Sequence, residues 1–414
     1  MKKSITVSFY ILLMTGISFT QPYVEGGNTR HRFAQLTLGL TNQFYSNANT
    51  KTYQSGLGNQ FEERKLTNQF QSQFIIGGTH FWGHADFYVT IPIYASSKEG
   101  YRSIGETAFK YYPWRIENKK VRPFVGFMTL TSAYKQGNGV NQVRFKYPLV
   151  TGLTFNYKHH LIEFTTSYTH NNSTDYFVEM NNQFNIVTPK LMTSISYKYY
   201  LETTGSAEKN WESGYTKKLT DTLAKLHRLN GFTLGIAPSA SFFLKKSSEH
   251  NKELIPYLGQ HRMSKVYFEF AAGYYWHRPD LQMNLSYRTV KSNLSAFNYS
   301  QYTKREALTL EVYKFIADYH GFATFIGPAL SYEELEVKDI NQIGLEQKST
   351  YYGLKPGLTF GWDIRPNRIQ SWYLRTNLRW FPNLNVNMAS GKKVSLDQLE
   401  INFIEFVFFP SKFF

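Results

Sequence analysis

The feature that most constrains this 414-residue chain is a period of two. From Gln35 onward, segments of about ten to fourteen residues carry apolar side chains at alternate positions. In 281–288, Leu281, Met283, Leu285 and Tyr287 share one face, and Gln282, Asn284, Ser286 and Arg288 share the other. Segment 371–380 repeats the pattern, with Trp372, Leu374, Leu378 and Trp380 set against Tyr373, Arg375, Asn377 and Arg379. A helix does not sort side chains this way; a strand whose two faces meet different surroundings does.

About sixteen such segments are legible, at 32–45, 66–77, 82–95, 101–113, 121–134, 144–158, 160–171, 190–202, 231–245, 264–276, 281–290, 304–317, 321–334, 349–363, 371–382 and 396–409. Short turns at 77–80, 113–120, 158–160, 277–280, 320–321 and 365–370 interleave with longer polar connections at 46–65, 172–189, 246–262, 291–303, 335–348 and 383–395. Parity-sorted loops predict an all-β fold: a transmembrane up-and-down antiparallel β-barrel of about 16 strands. Its short turns are periplasmic, its long loops face outward, and an even strand number puts both termini in the periplasm. A soluble β-sandwich also alternates but has no reason to sort its loops.

Composition fits the same picture. The chain is 17% aromatic, yet its mean hydropathy is −0.41. Lipid on one strand face and water on the other give such an average. After residue 20 no run of about 18 apolar residues marks a spanning helix. With no cysteine, disulfide frameworks, Cys-ligated zinc and thiol nucleophiles are excluded. Lys2 and Lys3, the apolar stretch Ile5 to Phe19, and Ser18 and Thr20 before Gln21 predict a signal peptide over 1–20. Its removal lowers the net charge of +16 by the two lysines, to +14. Residues 21–414 are then barrel, interrupted at 206–229 by a helical insertion between strands 8 and 9. Tyr215, Leu219, Leu223 and Leu226 form its stripe, and Asn230 and Gly231 are its stop signals.

The chain closes with Phe406, Phe408, Phe409 and Phe414. This ending resembles the C-terminal aromatic signal of Gram-negative outer-membrane β-barrel proteins. Segments 110–114, 122–127, 319–328 and 360–366 are similar to poorly characterised, porin-like members of that class. The resemblance implies export to the outer membrane, insertion by the barrel-assembly machinery through the last strand, and contact with membrane lipid and lipopolysaccharide. Basic outer loops suit the anionic lipopolysaccharide surface. Homo-oligomers are common among porins, but no strand face here identifies an interface.

The polar faces are the candidate site. In strands ten to sixteen they carry Lys265, Glu269, Arg288, Arg305, Glu311, Glu333, Lys355, Asp363, Arg375, Arg379 and Glu400. A sixteen-strand barrel leaves these around an aqueous channel. Hairpin counting sets Lys355 across from Arg379 with Glu400 beyond, and Arg305 near Glu333. Six of the eleven are cationic, and Arg144, Lys146 and Lys158 add to the basic side. The expectation is a cofactor-free, porin-like passive channel for small hydrophilic solutes, mildly anion-preferring. The alternative is a non-conducting scaffold whose loops and helix bind a partner.

Other chemistry finds little purchase. His80, His84, His159, His160, His227, His277 and His320 gather at the periplasmic end, where a rim keeps them too dispersed for a metal site. A barrel enzyme acting on envelope lipid rests on His170, with Asn171, Asn172, Ser167 and Ser173 nearby, and no elbow motif supports it. No basic run or recognition motif points to nucleic acid.

Overall fold

The computed structural model describes residues 34–412, except 55–59, 67–69, 96–99, 137–138, 202–214, 244–256, 258–263, 265, 320, 366–367 and 388–392. The signal peptide expected over 1–20 therefore lies outside the described residues.

The first half of the chain holds thirteen strands. They are β1 (Gln35–Tyr45), β2 (Ala48–Gln54), β3 (Gln60–Leu66), β4 (Phe70–His80), β5 (Ala85–Ala95), β6 (Gly100–Tyr111) and β7 (Val121–Lys135). They continue as β8 (Gln142–Lys146), β9 (Leu149–Tyr157), β10 (His160–Tyr168), β11 (Ser173–Glu179), β12 (Asn182–Val187) and β13 (Leu191–Leu201). The second half follows helix α1 (Tyr215–Lys225). It comprises β14 (Gly231–Phe243), β15 (Tyr267–Trp276), β16 (Leu281–Ala296), β17 (Tyr299–Tyr319), β18 (Phe322–Ile340), β19 (Glu346–Ile364), β20 (Trp372–Asn387) and β21 (Lys393–Phe408).

Each of the sixteen alternating segments is a barrel strand, and every recorded pairing between neighbours is antiparallel. They close into two rings of eight. In the first, the order β1-β4-β5-β6-β7-β9-β10-β13 returns to β1, with Leu36 beside Leu201. In the second, β14 to β21 run in sequence and β14 pairs with β21, setting Leu234 beside Phe408. The eighth strand thus pairs with the first, and the ninth with the sixteenth. α1 belongs to the link between the rings. On it Leu219 and Leu223 are half-buried and Leu226 is exposed. Residues 206–214 of the expected helix lie outside the described residues.

Ring size changes what the interior is. Eight strands leave a space that side chains can fill, whereas sixteen leave a water channel. The long outer connections also differ from open loops. Those at 46–65 and 172–189 contain the β2–β3 and β11–β12 hairpins. Segment 291–303 continues β16 and β17 to a two-residue turn at Phe297 and Asn298, with φ of +47° and +65°. Positive φ at both central residues marks the turn type whose twist matches a hairpin. Polarity across 291–303 reflects emergence from lipid; strand pairing continues through it.

Candidate functional site

Outward and inward faces of the second ring separate by chemistry. Leu285, Leu308, Leu310, Ile326, Leu330, Leu358 and Phe360 point outward and are exposed. At the short-turn end the apolar band is bounded by ring contacts Phe232–Tyr274 at 5.1 Å, Tyr274–Trp276 at 4.9 Å and Phe322–Trp362 at 5.8 Å. At the other end Tyr287 and Tyr332 flank Leu308 in register. From Phe322 to Tyr332 is eleven residues of β18, matching the ~9–11 residues a tilted strand needs to span a bilayer. Beyond that level the outward series turns polar, to Tyr302, Lys304 and Glu306 on β17. An apolar exterior, aromatic girdles and a polar interior invert the soluble arrangement. The fold is that of an outer-membrane β-barrel.

The polar interior is a stack of cross-ring contacts. Arg379 on β20 donates to Glu311 on β17 at 2.7 and 3.0 Å and to Glu269 on β15 at 2.6 Å. Asn402 donates to Glu269 at 2.8 Å, and Asn377 to Glu311 at 3.2 Å. One level toward the outside, Arg305 donates to Glu333 at 2.6 Å and also to Glu400. Arg288 pairs with Glu400 at 2.8 Å and donates to Thr309 at 2.7 Å. One level toward the periplasm, Arg375 pairs with Asp363 at 2.7 Å and reaches Gln282, Tyr373 and Tyr313. Arg288, Arg375 and Arg379 are at most 1% exposed, so they are packed core.

Among the candidates, Glu269, Arg288, Arg305, Glu311, Glu333, Asp363, Arg375, Arg379 and Glu400 are brought together in this interior. Lys355 is half-exposed, its ammonium 5.1 Å from the Tyr351 ring centroid. Register corrects its expected partner: Thr359, not Lys355, stands across from Arg379, while Glu400 is indeed the neighbour on the other side. Ile364 stands across from Leu374, so nine residues separate the last pair where the turn 365–370 suggests six. Lys265 lies outside the described residues. Glu405, beside Arg375 in register, is a buried interior carboxyl that the sequence reading passed over.

A second interior cluster fills the first ring. Lys198 on β13 pairs with Glu163 on β10 at 2.9 Å and Asp86 on β5 at 2.5 Å; Lys110 on β6 pairs with Glu163 at 2.9 Å. The Lys110 and Lys198 ammonium groups lie 4.8 and 4.5 Å from the Tyr88 ring centroid. Sequence reading missed this cluster, although the signal was there: Leu161, Glu163, Thr165 and Ser167 occupy the same parity of β10. The basic residues it did choose sit elsewhere. Arg144 and Lys146 are half-buried on β8, and Lys158 is exposed in the β9–β10 turn.

Toward the periplasm a third cluster closes the second ring. Arg368 donates to Asp280 at 3.0 Å and Asp318 at 2.8 Å, while Arg365 lies 3.3 Å from Asp280. Burial pushes the Asp280 carboxyl up, but the Arg368 hydrogen bonds and both guanidinium charges outweigh it and hold it below its usual 3.8.

Several histidines line the periplasmic girdle. His159 stacks on Tyr199 at 5.7 Å, and the His160 ring nitrogen Nδ1 meets the Tyr197 hydroxyl at 2.7 Å. His80 is buried against Phe322 at 5.9 Å, and His320 lies outside the described residues. Among the described residues no group of three His, Cys, Asp or Glu is placed to hold a metal. Neither serine near exposed His170 is aimed at it: Ser167 donates to the Met192 carbonyl at 3.3 Å, and Ser173 to Asn185 at 2.6 Å.

No protein-family model matches the chain, and comparison with curated proteins finds no match. Among solved structures it is similar to Ail, the attachment invasion locus protein of Yersinia pestis, at 12% identity and a TM-score of 0.27, over 43% of this chain and 97% of that one. It is also similar to an outer-membrane channel of Pseudomonas putida F1, at 8% identity and a TM-score of 0.21, over 95% and 99% of the two chains. For the outer-membrane channel DcaP of Acinetobacter baumannii the values are 7% and 0.16, over 93% and 99%. Placement in the outer membrane rests on the inside-out polarity of the rings.

Proposed function

We propose that this protein is a closed outer-membrane anchor whose work is done by the strands that stand above the bilayer. The observation that carries this reading is the packed ionic interior of both rings. Arg305 reaches Glu400, Arg375 reaches Gln282 and Arg379 reaches Glu269 across the second ring, and all three arginines are at most 2% exposed. Meanwhile β17 runs for 21 residues and β18 and β19 for 19 each, where ~9–11 span a bilayer. The excess of roughly 8–10 residues, at ~3.4 Å each along strands tilted by ~45°, raises a sheet about 20 Å beyond the lipid. Lys304–Glu306 at 2.8 Å, Lys338–Glu346 at 2.7 Å and Lys348–Glu336 at 3.0 Å make its surface one of mixed charge, suited to a protein or glycan partner. Lipopolysaccharide surrounds its base, and the assembly machinery reads the aromatic end of β21.

Reconstitution in planar bilayers tests the reading. A closed anchor gives no discrete conductance steps; regular steps from the wild-type protein refute it.

Porin-like conduction through the second ring is the second reading, favoured by the charged levels from Arg375 to Arg305, although nearer the periplasm Phe315, Phe325 and Phe409 fill the interior. The expected anion preference rested partly on Lys265 and Lys355. Lys355 is half-exposed and Lys265 lies outside the described residues; among those described, the second ring's interior holds four arginines (288, 305, 375, 379) against six carboxyls (269, 311, 333, 363, 400, 405). On the described charges a conducting form selects cations, and a reversal potential favouring chloride over potassium restores the original expectation.

A further inference from the structure

The wall of the first ring is open on one side. β5 and β6 pair from Ala85 beside Tyr111 to Thr90 beside Glu106, and no further. Above that point β5 continues to Ala95 and β6 begins at Gly100, each still paired to its other neighbour. Three local features hold the strands apart. Pro92 has no N–H to offer. Register shifts put an extra residue on each strand, Ile93 on β5 and Ile104 on β6, and such bulges bend a strand away from its partner.

This parting is built into the ring. The Gln71 side-chain amide takes the place of the missing strand, accepting from the Ser103 N–H at 2.9 Å and donating to the Ser103 carbonyl at 2.6 Å. Thr90 does the same for the Glu106 N–H at 3.1 Å. Interior side chains thus satisfy the β6 backbone that β5 leaves unpaired.

Outside the parting lies a cavity of about 440 Å³, within the ~300–1,000 Å³ of small-ligand sites. Its walls come from both rings: Ile91, Pro92 and Ile104 at the parting, and Phe242, Phe403 and Phe406 on the facing strands β14 and β21. Ile91 is 47% exposed and Ile104 38%, so the mouth is open toward the surroundings of the ring. Those surroundings are hydrocarbon, because the same outward faces carry the apolar belt. Its walls are chiefly apolar, with Thr90, Glu106 and Thr131 on the inner side, and apolar volume left empty forfeits dispersion contacts.

We propose that this cavity is a lateral lipid site: an acyl chain of a membrane phospholipid enters between the rings and lies along the β5–β6 parting. Thr90, Glu106 and Thr131 of the first ring's interior form its inner wall, so the acyl chain lies outside that interior and in contact with its edge.

The test uses the full chain in vesicles containing a phospholipid with a diazirine near the end of one acyl chain. Photolabelling is expected to concentrate on the peptides carrying Ile91–Pro92 and Ile104, and to be competed away by unlabelled phospholipid. A Cβ added at Gly105 meets only the Thr90 oxygen, at 3.8 Å, so Gly105→Leu fills the cavity without a backbone clash and abolishes the labelling. Labelling no stronger than at exposed Ile162 and Phe164 on β10 overturns the proposal. So does undiminished labelling in a Gly105→Leu barrel that keeps its heat-modifiable migration. Should that variant fail to fold, saturability in the wild type decides alone. Capture of diazirine palmitate with no phospholipid labelling overturns the assignment to phospholipid.

Discussion

Replacing Arg379 by methionine tests whether the second ring is held as a core or lined as a channel. Arg379 is 1% exposed and is the shared partner of Glu269 and Glu311, which are 1% and 0% exposed. Its removal leaves two buried carboxylates with one amide each, Asn402 for Glu269 and Asn377 for Glu311. Breaking a buried ionic cluster by deleting one member costs about 3–5 kcal/mol, chiefly because the surviving charge stays desolvated. At ~1.4 kcal/mol per decade, that lowers the folding constant more than a hundredfold. Removing all three charges, with Arg379→Met, Glu269→Gln and Glu311→Gln together, recovers most of the loss, since no buried charge then lacks a partner. Urea titration of the barrel in detergent micelles, followed by the heat-modifiable gel shift, measures both variants. The reasoning fails if Arg379→Met costs less than about 1 kcal/mol, as a water-exposed pair would. It fails equally if the triple variant is less stable than the single one.

In the first ring, Lys198→Met strands Asp86 and leaves Glu163 with Lys110 as its cation, and is expected to cost about 3–5 kcal/mol by the same titration, largely relieved by Asp86→Asn. Gly126 faces the Phe109 backbone oxygen so closely that an added Cβ cannot fit; Gly126→Ala should cost about 1–3 kcal/mol, against almost nothing for Gly105→Ala. The Asp280 carboxyl is held below 3.8, so its stabilising contribution is complete above that unfolded value and vanishes as pH falls through the lower folded value. A gel-shift midpoint that drops in that acid window for the wild type, and stays flat for Asp280→Asn, is the expected result; identical profiles would count against the periplasmic closure.

Much of this barrel was legible because its rules are local. Leu281, Met283 and Leu285 alternate with Gln282 and Asn284 whatever the rest of the chain does, and the pleat alone sends them to opposite faces. The inward placement of Glu269, Arg288 and Arg375 followed from parity. The Lys355 error shows where that logic stops: strand register depends on turn length, and one slipped turn moves every partner along the ladder. The platform was misread as loops for a related reason. Residues 291–306 are polar because they stand outside lipid, and polarity at a strand's end looks the same in sequence as a turn.

Ring closure lay beyond the sequence. Pairing Leu36 with Leu201 and Leu234 with Phe408 joins residues 165 and 174 positions apart, which no local pattern encodes. The sequence by itself determined sixteen strands, their faces and the charges they carry inward. Only the tertiary structure decided that these strands divide into two rings of eight, and that choice sets whether the interior is packed or open. In a narrow ring Arg305 on β17 reaches Glu400 on β21, and Arg379 on β20 reaches Glu269 on β15; around a ring twice that size the same charges face water. Where β5 and β6 part, the gap in the wall depends on two bulges on separate strands meeting at one height, which is again a matter of closure.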